Sequence, residues 1–258
     1  MKQNITISSD DIIDYLKISC QFPTILDGVV TCKIIETKAE ELGIKIDTKE
    51  LQQASDDFRL SRQLYAIDST QAWLRRHHLS LDEFETSIYT NALSRKLVEH
   101  LFGSSVESFF YQHKLDYTNA AVYEVVLEDE DLAMELFCAL QEGEVGFQEI
   151  ARQYITEPYL RMAGGYLGIV SRRDLKPEIS SAVFAAHPPE FLKPIVTSTG
   201  IHLILVEEII QPELNEAMRG IILNDLFAQW LKEQIEKIEV VTRLNPKTQT
   251  LVNGKTSN

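Results

Sequence analysis

The chain is poor in cysteine and in basic residues, and it has no long apolar run. Only Cys20, Cys32 and Cys138 stand among its 258 residues. They form no C-x-x-C pair and no zinc spacing, so each reads as a small buried or half-buried hydrophobe, not as a ligand or a disulfide half. The roughly 18 consecutive apolar residues of a membrane span occur nowhere, and the opening MKQNITISSDDIIDYL lacks the apolar segment of a secretion signal. A cytoplasmic protein is therefore expected. Lys and Arg number 25 against 39 Asp and Glu, a net charge of −14. A chain so short of clustered cations is not expected to bind nucleic acid, whose phosphates must be neutralised. What is present, 44% apolar and 25% charged residues, suits a globular chain of one large or two modest domains.

Charge and periodicity divide that chain. Residues 119–210 carry 15 acidic and 6 basic groups, whereas residues 211–258 are balanced at 6 and 6. Residues 1–118 read as a succession of at least four helices, with apolar residues recurring at three and four. Asp47 with Glu50, and Ser80 with Glu83, have capping-box spacing, while Gly43 and Gly103 stand where C-caps belong. The helix opening at Ser80 shows a broad apolar face through Leu81, Phe84, Ile88, Leu93, Leu97 and Leu101. From Ala120 the period changes. AAVYEVVL reads as a strand, EDEDLAMELFCALQEG as a helix stopped at Gly143, and FQEIARQYI as a second helix. TEPYLRMAGGYLGIVSRRDLKPE reads as a long loop with a short strand around Leu167–Val170, EISSAVFAA as a helical turn, and KPIVTSTGIHLILVEEI as a hairpin about Ser198-Thr199-Gly200. After Pro212 comes an amphipathic helix with Leu214, Met218, Ile221, Ile222, Leu226, Trp230 and Ile235 as its stripe, then a polar tail expected to fray. The expected organisation is a helical domain over 1–118, an acidic α+β unit over 119–211 inserted in it, and a helix within 212–258 that folds back onto the first domain.

Several motifs are decoys. The Gly254-Lys255-Thr256 triplet has Gln249 where a phosphate loop needs glycine. His77 and His78 are adjacent, so on a helix they point about 100° apart and cannot share a metal as i, i+4 histidines do. No G-x-S-x-G elbow occurs.

One constellation is specific. F-x-x-I-A-x-x-Y at Phe147–Tyr154, G-G-x-L-G at Gly164–Gly168, the apolar pair Leu175 and Ile179, Phe184, and T-x-T-G-x-H at Thr197–His202 follow in order. Together they resemble the parvulin (rotamase) family of peptidyl-prolyl isomerases over residues 119–210. The helices on either side resemble the SurA/PrsA type of chaperone-isomerase. The resemblance implies an α+β fold: a parvulin-like four-stranded antiparallel sheet with surrounding helices, inserted in an all-α SurA/trigger-factor-like helical domain. It implies that Leu167, Leu175 and Ile179, with Phe184, bind the proline of a substrate. It also implies that His202 is the histidine of the last strand, flanked by the Thr197 and Thr199 hydroxyls. Neither metal nor cofactor is implied, because an X-Pro amide is twisted and not cleaved.

The departures are as informative. Glu124 stands where the family commonly has a second histidine on its first strand, so a carboxylate–imidazole pair with His202 is expected. Glu157 stands where an Asp or Cys usually faces the substrate carbonyl. Glu128-Asp129-Glu130-Asp131 occupies the place where phosphate-reading relatives carry cations, which excludes phosphopeptide specificity. Trp73 and Trp230 fall in predicted helices, so no WW module is present. The implied function is isomerisation of non-phosphorylated X-Pro bonds in unfolded or precursor polypeptides, combined with chaperoning. The rival reading is a catalytically degenerate holdase or peptide-binding module, such as a helper for one exported or processed peptide.

Overall fold

The structure, a computed structural model, describes residues 4–242; the polar tail of residues 245–258 lies outside them. The described residues form two units. One runs to Ser104 and resumes at Leu223, and the other is Ser105–Ile222. These limits differ from 118/119 and 211/212. The segment just before the sheet is tied to the sheet unit, where Arg172 Nε donates to the Leu115 carbonyl at 3.0 Å. The second limit falls inside the last helix.

The helical unit holds α1 (Ser9–Ile18), α2 (Phe22–Glu41), α3 (Thr48–Ser61), α4 (Ile67–Arg76) and α5 (Leu81–Phe102). Both capping boxes close reciprocally, Asp47 with Glu50 and Ser80 with Glu83, and satisfy first-turn N–H groups that the helices themselves leave open. The broad face of α5 serves two separate cores. Phe84, Ile88 and Ala92 meet Ala54 and Leu74 of α3 and α4, with Phe58 edge-on to Phe84 and Trp73, while Leu93 and Leu97 meet Ile35 and Ala39 of α2. Leu81 stays exposed. The second core is completed by Phe227 and Trp230 of α11 (Glu216–Ile235). That helix starts four residues after Pro212, because Asn215 Oδ1 accepts the Met218 N–H at 3.0 Å and sets its first turn there. Of the stripe read in the sequence, Ile222 is buried and Trp230 packs, with Phe227 added to it, whereas Leu214, which precedes the helix, and Ile221 are exposed.

The cysteines depart from expectation as well. Cys20, in the turn between α1 and α2, Cys32 on α2 and Cys138 are all exposed and free. Among the described residues no single helix is long and apolar enough to cross a membrane; α1 and α2 pass that test only together, across a 112° bend.

The other unit begins with α6 (Val106–Gln112) and is built on an antiparallel sheet of β1 (Asn119–Leu127), β2 (Tyr166–Ser171), β3 (Glu190–Thr197) and β4 (Gly200–Ile210), in the order β2-β1-β4-β3. The family signature of an α+β unit with a four-stranded antiparallel sheet is thus present. Alternation along the strands gives each face its own core. Val125, Leu127, Ile201 and Leu203 pack under α7 (Glu130–Glu142) and α8 (Phe147–Tyr154). Ala120, Val122, Ile204 and Val206 pack with Ile179 and Val183 of α10 (Pro177–Val183). TEPYLRM, read as loop, contains a further short helix, α9 (Pro158–Met162), because Pro158 at its first position pre-sets a helical φ.

The return of α11 can be tested by substitution. Trp230→Ala should cost about 3 kcal/mol of stability, while Ile221→Ala should stay within about 0.5 kcal/mol. Urea unfolding of the intact chain, followed by far-UV circular dichroism, measures both; equal losses would contradict the packing.

Candidate functional site

The second face of the sheet carries the polar cluster. His202 alternates with Ile201 and Leu203 of the opposite core, so it shares its face with Ile204 and Val206. It lies across from Val126 on β1 and Ile195 on β3. Glu124 is opposite Ile204 and therefore diagonal to His202 on the same face. The two side chains meet. His202 Nδ1 is 2.6 Å from Glu124 Oε1, with the imidazole 6% and the carboxylate 18% exposed.

The other side of the ring faces the β3–β4 turn. Nε2 lies 2.8 Å from Thr197 Oγ1 and 3.2 Å from Thr199 Oγ1. Thr199 N–H donates to Thr197 Oγ1 at 3.1 Å, which fixes one hydroxyl against the other. The turn reaches this position because of Gly200. At φ +133° it adopts a backbone that side chains resist, and a Cβ there would stand 2.7 Å from Val126 Cγ1 and 2.8 Å from the Leu127 carbonyl oxygen. Gly165 acts similarly on β1. Its carbonyl accepts the Glu124 N–H at 2.8 Å, and a Cβ on it would lie 2.9 Å from the Glu124 carbonyl oxygen.

A residue not singled out in the sequence completes the chain of contacts. Lys176 Nζ donates to Thr199 Oγ1 at 2.6 Å and lies 3.3 Å from Thr197 Oγ1. Lys176 precedes Pro177, which keeps it out of the helical region (φ −60°, ψ 148°) and makes it the N-cap residue of α10. The only local signal was a lysine next to Leu175 of the motif; the contact with the turn is tertiary. The result is a hydrogen-bonded line from Glu124 through His202 and the two threonines to Lys176.

The apolar candidates are less uniform. Ile179 is 4% exposed and is core, in one cluster with Leu192, Ile204 and Val206, so it underlies the site and does not form an open wall. Leu175 and Phe184 pack half-buried on that cluster. Phe184 has the Arg172 guanidinium over its ring at 4.3 Å, which covers one of its faces. Leu167 is 37% exposed on β2, at the irregularity between the Val122–Gly168 and Tyr123–Tyr166 pairs, outside that cluster.

Glu157 makes its contacts at a helix start. It is the N-cap of α9, and its two carboxylate oxygens accept the N–H groups of Leu160 and Tyr159. These donors hold its carboxyl below the usual range, Leu160 most strongly. The acidic run is likewise a helix start: Asp129 caps α7 through Leu132 N–H at 3.0 Å, with Glu130 and Asp131 in the first turn. Among the described residues no group of three His, Cys, Asp or Glu is arranged to hold a metal ion.

The chain has relatives among known proteins. The Rotamase family model, a PPIC-type PPIase domain, matches residues 124–208. The chain is 22% identical over 223 residues to the foldase protein PrsA of Caldanaerobacter subterraneus subsp. tengcongensis, covering 85% of this chain and 69% of that protein. It is 24% identical over 227 residues to foldase protein PrsA of Oceanobacillus iheyensis, at 83% and 72% coverage. The crystal structure of the peptidylprolyl isomerase PrsA from Bacillus cereus superposes with a TM-score of 0.50 and 19% identity, over 92% of this chain and 91% of that one. These likenesses lend no support to the expectation of a cytoplasmic location.

The cap at Glu157 yields a pH prediction with a definite sign. A carboxyl lowered by folding stabilises above the ordinary glutamate range and loses that contribution as pH falls through the lowered value. Glu157→Gln should therefore melt below the parent chain at neutral pH, and the gap should close as pH falls through that lowered value. Thermal unfolding of both chains across that range decides it; a gap unchanged by acid would show that the carboxylate is not the source.

Proposed function

With its middle unit a parvulin-type peptidyl-prolyl isomerase domain in a SurA/PrsA-like chaperone architecture, we propose that this chain isomerises non-phosphorylated X-Pro bonds of unfolded polypeptides at the His202 face of the sheet. The observation that carries this reading is the line Glu124–His202–Thr197/Thr199, on the same sheet face as Leu175 and Phe184.

The chemistry needs little more. The two isomers differ by only about 0.5 to 1 kcal/mol, but amide resonance raises a barrier of about 18 to 20 kcal/mol between them. As the amide twists, its nitrogen becomes a better hydrogen-bond acceptor and its carbonyl loses conjugation. Side chains that bind this form better than either planar isomer lower the barrier, because catalysis is differential binding. An apolar surface at Leu175 and Phe184 suits the pyrrolidine ring, and the threonine hydroxyls supply polar contacts on the same face. Glu124 does not disable such a site. It gives His202 Nδ1 the partner that a second histidine would give, with a stronger acceptor. The holdase reading rested on Glu124 and Glu157, and is not favoured: the first holds the imidazole and the second caps a helix.

The helical unit supports the chaperone half of this function. A groove of about 650 Å³ lies between α2 and the end of α11, lined by Phe22, Leu26, Val29, Ile34, Trp230 and Ile238 among others. Apolar walls of this kind suit the exposed side chains of an unfolded client.

NMR exchange spectroscopy on a non-phosphorylated X-Pro peptide tests the proposal. The intact chain should accelerate exchange, and His202→Ala should reduce kcat/KM by about tenfold or more. No acceleration by the intact chain at high concentration would reject the isomerase reading.

A further inference from the structure

The direction of each hydrogen bond around His202 can be worked out from its donors and acceptors, and it gives Lys176 a role. An ammonium is donor only, so the Thr199 oxygen, at 2.6 Å from Nζ, must accept from it. The Thr197 oxygen accepts from Thr199 N–H at 3.1 Å and faces the same ammonium at 3.3 Å. With its lone pairs so engaged, the Thr197 hydroxyl has its proton left to give, and His202 Nε2 at 2.8 Å is a nearer acceptor than the Gly200 carbonyl oxygen at 3.3 Å; the Thr199 hydroxyl lies 3.2 Å from Nε2 and 3.0 Å from Thr197 Oγ1. Nε2 is then an acceptor, and the ring proton resides on Nδ1, where Glu124 takes it at 2.6 Å.

We propose that Lys176 is a positioning residue of this site: through the two threonine hydroxyls it holds the His202 ring in the tautomer that donates from Nδ1 and accepts at Nε2. The charged groups in the line are Glu124 from β1 and Lys176 at the start of α10. β3 and the turn contribute hydroxyls and Ile195, and β4 contributes Ile204. A proton on Nε2 would instead point at hydroxyl oxygens that the ammonium and the Thr199 N–H already claim.

The inference deepens the isomerase reading and rests on it for its catalytic consequence, but its structural half is measured without substrate. The experiment uses the intact 15N-labelled chain near pH 7, with His202→Ala to assign the ring signals and Lys176→Met, Lys176→Arg and Thr199→Val as variants. Long-range 1H–15N spectra should show a ring protonated at Nδ1 only in the parent and in Lys176→Arg. Lys176→Met and Thr199→Val should shift Nε2 toward its protonated position. For Lys176→Met, kcat/KM on the non-phosphorylated X-Pro peptide should fall by about tenfold with KM within about twofold, and Lys176→Arg should recover most of it. An unchanged Nε2 signal in folded Lys176→Met, or in Thr199→Val should the first variant not fold, overturns the proposal. Absence of isomerisation by the parent chain would count against the isomerase reading and leave the ring spectra to decide the role of Lys176.

Discussion

The bond between His202 and Glu124 is the constraint around which the sheet unit is arranged. A carboxylate and an imidazole are withdrawn from water between two neighbouring strands, and either one left alone there would forfeit a hydration that nothing else replaces. The bond exists only if β1 and β4 keep their register, since a slip of one residue would send both side chains to opposite faces. Gly165 and Gly200 serve the same end. Each lets a segment approach β1 more closely than a side chain would allow, one behind Glu124 and the other beneath the threonine turn. The polar line is thus a consequence of backbone geometry, and its atoms hold position before any peptide arrives, which is the condition for electrostatic assistance without reorganisation.

The motifs shared with the parvulins divide between the two faces of the sheet. Phe147, Ile150 and Ala151 fill the core under α8, and Gly164 and Gly165 bring the chain back along it. These residues hold the fold, and Gly165 meets the site through the Glu124 backbone. His202, Thr197 and Thr199 lie on the other face with Leu175 and Phe184, above a core to which Ile179 belongs. One sheet therefore separates support from site, and a sequence pattern that mixes the two residue by residue is the mark of alternating strands.

Much of this was legible in the chain itself. Strand alternation, capping boxes and the Thr197–His202 turn are local signals, and each element they announce is present. What stayed hidden was tertiary or fine-grained. Lys176 reaches a turn more than 20 residues away, and nothing near it in sequence announces that contact. Glu157 holds a motif position, and its cap is the finer feature: Glu-Pro is also how a short helix begins. The stripe of α11 is legible at Ile222 and Trp230 but not at Ile221 or Phe227, since a helix with apolar residues on several sides does not declare which will pack. The habits of the residue type suggest buried cysteines, and the fold here leaves all three outward.

The central claim is that the His202 face of the sheet holds the X-Pro bond. Titrating a non-phosphorylated proline peptide into the isotopically labelled intact chain, and mapping which backbone signals move, tests that claim most directly. The account predicts shifts concentrated at Thr197, Thr199, His202, Leu175 and Lys176. Shifts confined to the opposite face, around Tyr123 and Phe147, or to the helical unit alone would contradict it.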